Sequence, residues 1–145
     1  MSDVAFEKDN VIFNYRVCGL CIKDNKVLLE FNSETNHAIL PGGRVKMGEL
    51  SSDALIREIK EEMGADIYIL KRIDVLENHF VYTNKKYHEI LITYEFKFQT
   101  DSFYHNNIKN IEDKDYEVTY KWVDINEINN YSVLPEEHQK TISLY

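Results

Sequence analysis

Cysteine and proline are scarce in this sequence, two of each in 145 residues, and no long apolar run occurs. Each scarcity excludes something. Cys18 and Cys21 form a C-x-x-C in "RVCGLCI", but the stretch reads as a strand, where residues three apart face opposite ways, and no second cysteine pair exists to complete a four-ligand zinc site. Both thiols are expected to be small buried hydrophobes in a reducing compartment. No segment approaches the ~20 apolar residues of a membrane span. The start "MSDVAFEKDN" has neither the basic end nor the apolar core of a signal peptide, so a cytoplasmic protein without a membrane partner is expected. Positive charge is also short: 17 Lys and Arg against 25 Asp and Glu give a net charge of -8. That average field repels polyanions, which argues against long nucleic acid unless a local basic patch or bound cations intervene. Small phosphorylated molecules remain admissible if metal ions screen the site.

What is present is the composition of a globular chain, 43% hydrophobic and 12% aromatic, at a length suited to one domain over residues 1–145. The apolar runs "FNYRVCGLCI" and "KVLLEF" surround "KDN", a hairpin turn. A short "AIL" leads into Pro41-Gly42-Gly43. Residues 51–63 are predicted to form a helix capped by Ser51 or Ser52, with Asp53 at its positive end and Gly64 closing it in the left-handed conformation. "IYILKRIDVLENHFVY" and "YHEILITYEFKFQ" read as strands around "TNKK", residues 100–115 as a long polar loop, "YEVTYKWVDI" as a strand and the segment from Pro135 as a last helix. Strands around a central helix and before a final one suggest an α/β fold, a mixed sheet with helices packed on it.

The helix carries the chemistry. At about 100° per residue, with Glu58 at zero, Glu61 falls near -60° and Glu62 near +40°, so three carboxyls share about 100° of arc. Leu55, Ile56, Ile59 and Met63 occupy the adjacent arc and are expected to form the core face. Like charges at these spacings repel weakly, Arg57 can reach Glu61 at i+4, and a hard divalent cation would offset far more than Arg57 does. On its own "REIKEE" also fits a solvated helix face. Gly42 and Gly43, between a strand and this helix, let backbone groups approach a metal or phosphate without a Cβ in the way.

Gly43, five residues, Glu49, seven residues, Arg57-Glu58-Ile59, one residue, Glu61-Glu62, one residue and Gly64 resembles the Nudix box, the signature of the Nudix hydrolase family. Ala65 departs from the larger aliphatic residue usual there, and Ala38 stands where many members carry an aromatic. The resemblance implies an α/β/α sandwich around a mixed sheet, in a small MutT-like member. It implies hydrolysis of a phosphoanhydride in a nucleoside diphosphate linked to another group, with Mg²⁺ or Mn²⁺, by water attack on phosphorus. Glu58, Glu61 and Glu62, with the carbonyl of Gly43, are the implied metal ligands; Glu61 also counts among the catalytic residues. Arg57 would orient Glu61 or Glu49, and Glu49 would act behind the ligands or through water. The general base is implied outside the box or within it: Glu117 is the first choice and Glu112 the second. Nucleoside triphosphates are the expected substrate, with dinucleoside polyphosphates or nucleotide sugars as alternatives, and the chain as a monomer or homodimer. The competing reading is a nucleotide-binding sensor without turnover. His88 and Glu89 of "YHEI", with Glu77 and His79 across the hairpin, are a weaker candidate, one of the pair facing a substrate groove.

Overall fold

The computed structural model describes residues 2–145. Three two-residue turns organise the strands. Asp9-Asn10, Asp24-Asn25 and Thr83-Asn84 all have positive φ, between 50° and 64°, the paired left-handed geometry whose twist matches a β-hairpin. Asn and Asp adopt it readily; Thr83, β-branched, is the unusual occupant, and its hydroxyl donates to the carbonyl of Tyr82 at 2.7 Å. These turns join β1 (Ala5–Lys8) to β2 (Val11–Leu20), β3 (Ile22–Lys23) to β4 (Lys26–Asn32), and, after β5 (Gly42–Arg44) and α1 (Ser51–Met63), β6 (Ile67–Tyr82) to β7 (Lys85–Phe98). The chain ends with β8 (Ile108–Lys109), β9 (Val118–Asp124) and α2 (Glu136–Ser143).

β1, β2, β7 and β6 lie side by side, with β5 also paired to β2. β2 and β7 run parallel while the other pairs are antiparallel, so this sheet is mixed, as expected. The strand layer contains a second, four-stranded antiparallel sheet, β3-β4-β9-β8. Alternation along the strands divides the core in two. On β4, Leu28 joins the cluster of α1 residues Ala54, Leu55 and Ile59, whereas Val27 and Leu29 join the cluster of Ile142 from α2. The helices thus cover opposite faces, which makes the α/β/α sandwich. Among the described residues no helix is long and apolar enough to cross a membrane.

Several local expectations change. β1 was not anticipated, because Phe6 is its only large apolar side chain and is 59% exposed. The segment 100–115 is not all loop: it holds a 3-10 turn, Asp101–Tyr104, and β8, leaving residues 110–117 irregular over the end of α1. Neither serine caps α1. Leu50 is the N-cap, with no side-chain bond, and the Ser51 hydroxyl meets the Tyr94 hydroxyl at 2.7 Å, because the helix start lies against β7. Gly64 does close the helix, at φ 70°. Cys18 and Cys21 are buried free thiols in the two separate clusters.

Candidate active site

The buried face of α1 is Ser51, Ala54, Leu55, Ile59, Glu62 and Met63. On the helical wheel that arc runs from about -40° to +140°, which puts Glu62 in its middle and Ile56 beyond its edge. Ile56 is accordingly 38% exposed and Glu62 only 7%. The expected division into a core stripe and an acidic stripe is therefore corrected. Residues 108–112 fold over the last turn, with Ile111 N–H donating to the Glu62 carbonyl at 2.8 Å, and close Glu62 off.

β5 brings Gly43 to the same place. Its pairing with Val17 sets Gly43 directly beside α1, and a Cβ there would overlap the Glu58 carboxyl group. Only glycine allows this approach of backbone to acid. Arg57 then organises the surroundings. Its Nε and Nη2 donate to both oxygens of Glu49 at 2.8 and 3.0 Å, Nη1 to Glu58 at 3.0 Å and to Glu61 at 3.2 Å, and Nη2 to the carbonyl of Arg44 at 3.0 Å. Glu49 also accepts from Lys46 N–H at 3.0 Å, so both its oxygens are engaged in holding Arg57 and the turn 45–50. The Arg57 guanidinium holds Glu49 below the usual carboxylate range, and Glu49 in turn raises the Arg57 pKa.

The remaining acids are in the opposite condition. Burial pushes Glu62 up to about 9, with Glu30, Glu58 and Glu112 adding repulsion. Burial also pushes Glu30 up to about 7 and raises Glu58, against the pull of Arg57 on the latter. The Tyr120 hydroxyl, which accepts from Asn110 Nδ2 at 2.9 Å, lies beside Glu62. Even so, Glu62 Oε2 has no hydrogen-bond partner among the described residues. The partnerless, buried Glu62 oxygen, the raised Glu30 and Glu58, and the Gly43 backbone against Glu58 with no side chain in the way are oxygen donors of the kind that suits Mg²⁺ or Mn²⁺. Among the described residues no three acids converge at metal-ligand distance, since Arg57 holds Glu58 and Glu61 on its own side.

Glu62 should make metal-free stability depend on pH. Its carboxyl holds a proton up to about 9 in the fold but only to an ordinary value of 4.5 when unfolded, so between those limits the folded state binds more protons and stability falls as pH rises. Glu62→Gln escapes this loss. In chelator, its melting temperature should match wild type near pH 4.5 and exceed it by ~3 °C or more at pH 9. A pH-independent difference would show that Glu62 ionises normally.

The structure joins Gly43, Glu49, Glu58 and Glu61 around Arg57, and Glu62 feels the charge of Glu58 without a hydrogen bond to this network. Glu117 lies apart from it, exposed, anchored by its backbone to Ser33. Glu112 lines the same cavity of about 160 Å³ as Glu117, and its charge acts on Glu58 and Glu62. Glu30 and Tyr120 escaped sequence reasoning. A lone acid inside the apolar run "KVLLEF" was the available signal for Glu30. Trp122 is packed against Phe98 and Tyr104 and donates to the Phe103 carbonyl at 3.0 Å.

Residues 14–145 match the model of the NUDIX domain. The chain belongs to the Nudix family. It is 33% identical over 113 residues, 77% of its length, to an uncharacterized Nudix hydrolase, YvcI, of Bacillus subtilis (strain 168), and 47% identical over 51 residues, 33% of its length, to an ADP-ribose pyrophosphatase of Methanocaldococcus jannaschii. The match spans 66% of the first relative's length and 30% of the second's. The MutT-like form of this Nudix chain shows in the crystal structure of a MutT protein from Methanosarcina mazei Go1, which superposes with a TM-score of 0.62 over 90% of this chain and 91% of that one, at 22% identity.

Proposed function

We propose that this Nudix chain is a divalent-metal-dependent hydrolase that splits the phosphoanhydride of a nucleoside triphosphate, consuming water and releasing a nucleoside monophosphate and pyrophosphate. The observation that carries the reading is the arrangement around Arg57: one guanidinium places Glu49, Glu58 and Glu61 while leaving the Glu62 oxygen free and buried. Glu58, Glu61, Glu62 and the Gly43 carbonyl would hold Mg²⁺ or Mn²⁺. Bound metal supplies neutralisation of the pyrophosphate oxygens and a water of lowered pKa. Arg57 positions the ligands, and Glu49 positions Arg57.

The proton of the attacking water needs an acceptor. Glu112 is favoured, because its charge reaches the box glutamates, with Glu117 behind it in the same cavity. Glu112→Gln should lower kcat by about 10²-fold or more and flatten the acidic limb of the pH-rate profile, with metal affinity little changed. The same result from Glu117→Gln, with Glu112→Gln normal, would reassign the base. The likeness to the ADP-ribose enzyme is confined to 51 residues, and the whole protein's substrate is not carried over with it.

The test is a screen over nucleoside triphosphates, dinucleoside polyphosphates, nucleotide sugars and ADP-ribose, in Mg²⁺, Mn²⁺ and chelator, read as pyrophosphate release from the triphosphates and, because the others yield only nucleotides and phosphomonoesters, as phosphate released from their products by an added phosphatase. Metal-dependent release from triphosphates is expected. Turnover in chelator would overturn the metal reading, and none under any condition would leave a nucleotide-binding sensor.

A further inference from the structure

Every residue from Ile111 to Glu117 is exposed as a whole, yet the Lys114 side chain is only 30% exposed. It lies back against the fold instead of reaching into water. Its Nζ stands 3.6 Å from Glu112 Oε1, and both line the cavity of about 160 Å³, with Lys109 of β8 and Glu117 also at its wall. Local bonds fix this placement. Asn110 Oδ1 accepts from Glu112 N–H at 2.8 Å, Asn110 Nδ2 donates to the Tyr120 hydroxyl at 2.9 Å, and Ile111 N–H donates to the Glu62 carbonyl at 2.8 Å. The segment is thus tied to the last turn of α1 only three residues before Lys114.

From there the ammonium faces the acids. Burial by itself would lower the Lys114 pKa, but Glu112, Tyr116, Glu62 and Glu30 overcome it and raise it, and Lys114 in turn opposes the effect of burial on Glu30. Arg57 does no such service. Its bonds go to Glu49, Glu58, Glu61 and the Arg44 carbonyl, and none goes to Glu30 or Glu62. Lys114 is the cation whose charge reaches both of these buried acids.

That place conflicts with metal. A divalent cation among the acids and an ammonium beside them repel one another, and screening is weak where water is partly excluded. Lysine can yield, because its charge sits on a flexible stem, where a guanidinium fork would be fixed by its parallel bonds. The cavity wall carries two lysines and two glutamates, so without metal it holds little net attraction for an anion. With a cation on the acids, Lys114 is released to bond phosphate oxygens.

We infer that Lys114 is a positioning residue with two places: without metal it neutralises the buried acids, and with metal it turns to the phosphates of the substrate, coupling the binding of the two. Such coupling is reciprocal, each ligand tightening the other. The inference rests on the hydrolase reading for its ligands, a divalent cation and a polyphosphate, and is tested by binding apart from turnover.

The experiment is calorimetric titration of Mn²⁺ alone, and of inorganic pyrophosphate in saturating Mg²⁺, into the full chain as wild type, Lys114→Met and Lys114→Arg, followed by kcat and KM for a nucleoside triphosphate. Lys114→Met keeps the stem and removes the charge. It should bind Mn²⁺ ~3-fold or more tightly than wild type, because a competing cation is gone. It should bind pyrophosphate ~10-fold or more weakly and show a similar rise in KM, with kcat within about 3-fold, because a charge-assisted bond is lost. Lys114→Arg should stay within ~3-fold of wild type throughout, since the charge is kept. The opposite signs are what a merely structural lysine would not produce. Unchanged or weaker Mn²⁺ binding in Lys114→Met, or unchanged pyrophosphate binding, would overturn the inference and leave the hydrolase reading standing. No Mn²⁺ binding by wild type would remove both.

Discussion

Glu61→Gln and Glu62→Gln should each lower kcat by about 10³-fold in a protein that stays folded. The two reach that result by different routes. Glu61 has 41% of its side chain exposed and is held by Arg57 at 3.2 Å, so its loss removes a charge near solvent. Glu62 is buried, with a partnerless oxygen and a pKa of about 9, so a cation must displace a proton from it at neutral pH. Metal affinity in wild type should therefore rise up to about tenfold per pH unit below pH 9, and Glu62→Gln should lose most of that slope. Kinetics against Mg²⁺ concentration at several pH values measure both. Near-normal kcat in both variants would remove these residues from catalysis.

Arg57→Lys should lower kcat by about 10²-fold with KM little changed. Lysine keeps the charge but cannot make two parallel bonds to Glu49 while bridging Glu58, Glu61 and the Arg44 carbonyl. The variant also exposes the structural share of the pairing. Glu49 has a depressed pKa in the fold, so its contribution is present above the ordinary value of 4.5 and is lost as pH falls through the folded value. Arg57→Lys should weaken that acid sensitivity, seen as a smaller drop in melting temperature between pH 6 and pH 3. A rate close to wild type would show that Arg57 is only a surface cation.

Legibility followed the range of the interaction. The Gly64 cap and the Asp-Asn and Thr-Asn turns are contained in a few consecutive residues, and of these the Gly64 cap and two of the turns were readable. The turn at Asp9-Asn10 passed unnoticed because β1 has too little apolar pattern to announce a strand before it. His79 and His88 do meet across their hairpin, with ring centroids 4.6 Å apart, while Glu89 points to the other face, as alternation requires.

By itself the sequence determined the family, the helix that carries the acids and the spacing that sets Gly43 and Glu49 against Arg57, because box and helix are governed by contacts within about 20 residues along the chain. Only the tertiary structure decided that Glu62 is buried, that Glu30 joins it from β4, that the Glu112 charge acts on the box, and that Asn14, Arg16 and Glu89 face one another. Burial depends on which distant segments cover a side chain, and a carboxyl's proton affinity depends on the water and charges that remain around it. Neither is set until residues 108–112 lie over α1 and β2 has found β7.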